Sequence, residues 1–258
     1  MFLFCVKKAF FDFWDNFIPA ILANLGFIVV LALPTLGPSS LHPVSPFAGL
    51  MTFVAGGLLL FAYTGCISMV ARDIVMYRSP GWEDLPHYLR EVWRPSLALG
   101  GIFLLHALLL SIALPVYATM DALPAAAAVA LLFWGSVLWL MASQYFFPVR
   151  AQLGDRVPKV LKKCFILLFD NGAFTLGLAL GSVGIMMLSV FTALLLPGPM
   201  GVLIWLNTAF KLRLLKYDYL EEHPAAPRRR LPWDQLLAEE RERVGKRTLK
   251  GMIFPWRE

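Results

Sequence analysis

Lysine and arginine are confined to one set of segments in this chain, and that segregation constrains the fold more than any other feature. Six runs, 17–36, 48–71, 96–117, 123–147, 172–196 and 199–217, are predominantly apolar, and each has about the 20 residues or more that a membrane-spanning helix needs. The connections 37–47, 118–122 and 197–200 contain no Lys or Arg, whereas all 23 basic residues fall in the N-terminal segment, in 72–95, in 148–171 or from Lys211 onward. Positive charge stays on the cytoplasmic side, so both termini and the basic loops are expected inside. The expected fold class is an all-α membrane protein with six transmembrane helices and cytoplasmic termini.

Composition agrees with that assignment. A hydrophobic share of 59% with 16% charged residues exceeds the roughly 45–50% apolar content of soluble domains. A net charge of +6 raises nucleic acid as a partner, but the distribution of the charge argues against it and for the lipid bilayer. Cys5, Cys66 and Cys164 lie in or near the cytoplasmic half, where thiols stay reduced, so no disulfide is expected. The lysines of MFLFCVKKAFF follow its apolar run instead of preceding it. That order is not the order of a signal peptide, and the segment reads as part of the mature chain.

An internal repeat refines the architecture. KKAFFDFWDNFIPAILANLG at 7–26 aligns without gaps on KKCFILLFDNGAFTLGLALG at 162–181, pairing Lys7-Lys8 with Lys162-Lys163, Phe10 with Phe165 and Asp15-Asn16 with Asp170-Asn171. Such repetition sets architecture before any residue acquires a role. The expected unit is a helix lying on the membrane, a corner at the Asp-Asn pair, and a helix entering the membrane. In the first copy the lysines are expected to reach lipid headgroups, and the Asp-Asn pair to cap the incoming helix. Arg72, Arg78 and Pro80 map onto Arg150, Arg156 and Pro158 at one constant offset, which implies a third copy. It begins at GWEDLPHYLREVWRP, with Pro95 expected to break it into the third span. The prediction is three successive repeats of an interfacial elbow helix plus a helical hairpin.

The division expected is a six-helix transmembrane domain over 1–218 and a cytoplasmic tail over 219–258. Pro224 and Pro227 make the start of the tail a linker. From Pro232 to about Lys250 the pattern is that of one charged helix, with acids before bases as the macrodipole prefers. The amphipathic end offers Ile253, Phe254 and Trp256 for docking on the membrane or on the bundle.

Ionisable groups inside a membrane are functional candidates because they are costly. His106, near the middle of the third span, is the one found, and it reads either as a proton-relay group or as a hydrogen-bonding histidine between helices. Asn24, Gln144 and Asn207 are neutral and fit either helix-to-helix hydrogen bonding or the lining of a substrate path. Arg72, Arg78, Arg150, Arg156, Lys162 and Lys163 form a basic cytoplasmic face, as topology anchors or as a binding surface. The histidines His42, His87, His106 and His223 lack ligand-like spacing, so no metal site is expected. Nor does a phosphate-binding glycine loop appear, and Ser and Cys nucleophiles lack a neighbouring base. Neither a catalytic residue nor a cofactor is expected.

The run VARDIVMYRSPGWEDLPHYLREVWRPSLALGG, the entry FWDNFIPAILANLGFIVVLALPTL and the closing WLNTAFKLRLLKYDYLEEHP together resemble the YesL-like family of small polytopic bacterial membrane proteins. The resemblance spans residues 10–220, leaves the tail past Pro227 outside it, and departs from the family pattern at Arg94-Pro95. It implies residence in the bacterial cytoplasmic membrane and an association with carbohydrate uptake systems of the ABC type, with no established catalytic residues. The function expected is that of a non-catalytic accessory or scaffold protein engaging a transport complex. The alternative is a small-solute transporter or channel with a polar cavity between the repeats.

Overall fold

A computed structural model describes residues 1–224, 231–245 and 247 of the chain. The described residues form helices and turns without a strand: α1 (Phe2–Asp15), α2 (Phe17–Leu41), α3 (Pro46–Val75), a 3-10 turn (Trp82–Asp84), α4 (Leu85–Ala118), α5 (Leu123–Ser143), α6 (Phe146–Leu153), α7 (Val157–Asp170), α8 (Gly172–Val190), α9 (Gly198–Glu222), α10 (Trp233–Leu236) and α11 (Ala238–Val244). Five helical segments are long and apolar enough to cross a membrane: α2, α3, α4, the α5–α6 pair and α8. The sixth expected span, α9, falls outside that group. Its second half carries Lys211, Arg213 and Lys216, and its first half is buried among its neighbours.

Both Asp-Asn pairs interrupt the helix. Asn16 (φ −116°, ψ 35°) separates α1 from α2, and Asn171 (φ −138°, ψ 42°) separates α7 from α8. The cap works in the opposite direction from that expected. Neither asparagine side chain bonds the start of the following helix. Asn16 Nδ2 donates back to the Asp12 carbonyl at 2.9 Å and Asn171 Nδ2 to the Leu167 carbonyl at 3.4 Å. The Asn16 amide thus bonds a carbonyl in the last turn of α1, where helix carbonyls run out of intrahelical donors, whereas the Leu167 carbonyl also accepts the Asn171 backbone N–H at 3.1 Å.

The break expected at Pro95 does not occur, because Leu85–Ala118 is one helix with Pro95 inside it. Proline lacks the N–H that would bond the carbonyl four residues back, here Glu91. Arg150 supplies the missing donor, with Nη2 3.2 Å from the Glu91 oxygen. The helix continues because another element satisfies the carbonyl that Pro95 leaves open.

The core gathers at the end of the bundle that carries the basic residues. There, α3 is buried almost continuously from Gly65 to Val75, held by α1, α4, α6 and α9. Two glycines set the distances: a Cβ on Gly56 would meet the backbone of Pro34 and one on Gly65 would meet Ser96 Oγ, whereas Gly57 faces open space. Towards the other end, α4 and α5 expose Leu105, Leu108, Ile112, Leu131, Phe133 and Trp134. Apolar side chains outward in this number suit a hydrocarbon environment.

In α1 the lysines do not reach outward as expected. Leu3, Val6 and Trp14 point outward, with Leu3 84% exposed, whereas Lys8 and Asp12 are buried, Lys8 completely. The lysines hold protein, not headgroups. The tail also differs. It forms two short helices broken at Leu237, not one continuous helix, because Leu237 turns fully into the core. The expected boundary at 218/219 falls inside α9, which runs on to Glu222. Ile253, Phe254 and Trp256 lie outside the described residues.

Candidate functional site

Three of the four polar candidates bond to three different helix contacts. Asn24 is fully buried. Its Nδ2 donates to the carbonyls of Leu195 and Pro197 at 2.9 Å each, and its Oδ1 accepts from the Met200 N–H at 2.9 Å. Asn24 thereby fixes the start of α9 against α2. Asn207 Nδ2 donates to Ser68 Oγ at 3.2 Å and to the Leu203 carbonyl, while Oδ1 accepts from Gln152. That set ties α9 to α3 and α6. Gln144 Nε2 reaches the carbonyls of Met141 and Thr175, but its Oε1 is buried with no partner among the described residues. His106 Nε2 is likewise buried without one. The four residues are not brought together.

The basic face divides in two. Arg72 and Arg150 are used between helices: Arg72 pairs with the adjacent Asp73 and donates to the Ala151 carbonyl at 3.1 Å, and Arg150 bridges to Glu91. Asp73 also accepts from the Tyr88 hydroxyl of α4. Arg78, Arg156 and Lys162 are exposed. Lys163 and Lys159 both pair with Asp155, in the turn before α7.

The densest constellation lies on residues that sequence reasoning did not single out as a site. Lys8 of α1, Lys211 of α9, Tyr77 just past α3 and Glu240 of α11 converge at the basic end. Glu240 Oε1 is 2.6 Å from Lys211 Nζ, and Oε2 is 3.3 Å from Lys8 Nζ and accepts from the Tyr77 hydroxyl at 2.8 Å. Asp12 Oδ2 lies 3.0 Å from Lys8, and both lysines also donate to the Val75 carbonyl, at 3.4 and 3.0 Å. The Tyr77 ring supports the two ammonium groups from below, 3.9 and 4.6 Å from its centroid. An ammonium over an aromatic face is attracted by the ring quadrupole.

The two carboxyl groups respond differently to this environment. Burial pushes Asp12 up to about 6, outweighing the pull of Lys8. Burial also raises Glu240, but the hydrogen bond from Lys211 and the charges of Lys8 and Lys211 overcome it and hold Glu240 below the usual carboxylate range. The difference follows from donor count, since Glu240 has three donors and Asp12 depends on one.

The tail is fastened along the whole of α1. Lys7 donates to the Gly245 carbonyl at 3.1 Å, and Arg247 forms a two-pronged bond with Asp15, both contacts at 2.9 Å. Leu237 and Val244 complete the buried face of the tail, while Asp234, Glu239, Glu242 and Arg243 stay outside. The second elbow is closed by other means: Lys216 and the Tyr217 hydroxyl, both from α9, bond Asp170. Beside it lies an open groove of about 840 Å³ between α7 and the end of α9, lined by Lys162, Phe165, Ile166, Phe169 and Leu220. The signal available in the sequence was the pairing of Lys7-Lys8 with an acid-rich tail; which acid reaches which lysine is set by the path of α9. No protein-family model, curated protein or solved structure matches the chain.

Proposed function

We propose that this is a non-catalytic accessory or scaffold protein of the bacterial cytoplasmic membrane, with its tail helix presenting a charged surface to a protein partner. The observation that carries this reading is the division of labour in the tail: Leu237, Glu240 and Val244 are buried on the bundle, while Asp234, Glu239, Glu242 and Arg243 face outward. An ordered helix with an exposed charged face, its Asp234 and Glu239 paired only within the tail to Arg241 and Arg243, held beside the membrane, suits protein recognition, because electrostatic complementarity confers specificity and steers association. The resemblance to YesL-like proteins points to a membrane transport complex for carbohydrate as the partner. In the full topology, α9 is the sixth crossing, both termini are cytoplasmic, and the elbows at Asn16 and Asn171 are copies of one unit. The confinement of Lys and Arg and the ungapped match of 7–26 to 162–181 support it.

The transport alternative requires polar side chains along one path. Asn24, Gln144 and Asn207 are bound at separate contacts, which favours their use in packing. Affinity purification from native membranes in mild detergent tests the proposal, comparing the full chain with a Glu239→Lys, Glu242→Lys variant. The variant is expected to insert normally and lose the partner. Recovery of the same proteins with both chains would remove the tail as the interface.

A further inference from the structure

Lys8 and Lys211 place two ammonium groups in a buried site next to a single resident carboxylate, Asp12. The second negative charge is delivered by Glu240 from the far end of the chain, across the segment HPAAPRRRLP. In the other elbow the corresponding lysine, Lys163, is paired by Asp155 from the turn immediately before its own helix, and Asp170 by α9. One elbow is closed by residues near it in the chain and by α9, the other by α11 from far along the chain. A fully buried cation, Lys8, and a partly buried one, Lys211, facing one anion carry a net charge that requires compensation, because an unpaired buried charge is costly.

We propose that Lys8, Lys211 and Tyr77 form an anion-binding site that Glu240 fills in cis and that accepts the phosphodiester of an anionic phospholipid when the tail lifts. A phosphodiester carries one negative charge on two non-bridging oxygens, as a carboxylate does. It presents the same fork to the same three donors: one oxygen to Lys211, the other to Lys8 and the Tyr77 hydroxyl, as Glu240 now does at 2.6, 3.3 and 2.8 Å. An entry path already borders the site. A cavity of about 420 Å³ reaches Asp12 and Tyr77 from a rim that includes Arg78, and its lining also includes Arg243, Val244 and Arg247 of the tail, so lifting the tail widens it. The outward Leu3, Val6 and Trp14 of α1 put this end of the bundle at the depth where headgroups lie. Tail docking and lipid binding then compete for the same donors. The inference does not depend on the existence of a protein partner.

The test uses the full-length protein in a neutral detergent, titrated separately with phosphatidylglycerol, phosphatidylcholine and inorganic phosphate. Retained lipid is read by native mass spectrometry and tail release by the rate of tryptic cleavage after Arg241 and Arg243. In the wild type, phosphatidylglycerol should accelerate cleavage several-fold and phosphatidylcholine should not. Glu240→Gln should retain several-fold more phosphatidylglycerol than the wild type, and adding Lys211→Gln should abolish that gain. Acceleration by inorganic phosphate to the same extent would keep the site and assign it to a soluble anion. The proposal is overturned if phosphatidylglycerol leaves wild-type cleavage unchanged, or if the gain in Glu240→Gln survives Lys211→Gln combined with Tyr77→Phe. The wild-type cleavage arm decides the matter even if a variant fails to fold.

Discussion

Asn24 and His106 are both polar residues on spanning helices, yet they stand at opposite ends of hydrogen-bond satisfaction. Asn24 makes three bonds to the backbone at the start of α9, and removing one partner of a buried bond exposes the other to the full cost of desolvation. Asn24→Ala is therefore expected to destabilise the protein by about 1–3 kcal/mol, measured as a lowered midpoint of unfolding in detergent. An unchanged midpoint would mean that α9 is positioned without it. His106 Nε2 is buried with no partner among the described residues, so His106→Phe removes an unsatisfied polar atom and keeps an aromatic ring. Its stability should be equal or higher. A clear loss of stability would reveal a partner for His106 that the fold does not display.

At the scale of the element, α4 and the tail each rely on a donor or charge from elsewhere in the chain. Arg150→Ala leaves the Glu91 carbonyl without the donor that replaces the Pro95 N–H, and helices bend where the i to i−4 ladder is broken. Backbone amides following Pro95 should then exchange faster with deuterium than in the wild type, while those of α3 should not. For the tail, the docked state holds Glu240 below its free value of 4.5, so docking gains free energy above that value and loses it as pH falls through the docked pKa. Asp12 runs the other way. Its folded value of about 6 lies above the free value of 3.8, so its protonation favours the folded form and its contribution fades as pH rises through 6. A spin label at Glu242 should stay immobilised as pH falls through 6 and become mobile only below 4.5. Mobilisation near 6 would make Asp12, not Glu240, the group that holds the tail.

For the whole molecule, the tail links the core to the elbow and is not a free appendage. Deleting 228–258 strips Glu240 from Lys8 and Lys211 and Arg247 from Asp15. Breaking a buried pair by removing one member costs roughly 3–5 kcal/mol when the remaining charge cannot be screened. The truncated protein should still insert, but α1 should lose protection against proteolysis while α3 keeps it. Equal protection of α1 in both chains would show that the tail adds no stability to the elbow. Orientation is tested separately. A cysteine at Ser40 should react with an impermeant thiol reagent in intact cells and one at Ala226 should not; the reverse would invert the topology.

Much of the fold was legible along the chain because the bilayer imposes local rules. A run of apolar residues must satisfy its backbone within itself, so the five helices long and apolar enough to cross can be read off hydropathy without knowing their neighbours. The two Asp-Asn breaks were legible for the same reason, since helix ends are local events. What depends on distant residues could not be read this way. Pro95 looks like a helix terminus until Arg150, 55 positions later, meets the Glu91 carbonyl. Lys8 looks like a headgroup anchor until Glu240 arrives beside it. The segregation of charge determined which end of the bundle is basic; only the packing of α1, α9 and α11 decided that its lysines are buried, because the burial of a charge depends on whether a counter-charge reaches it.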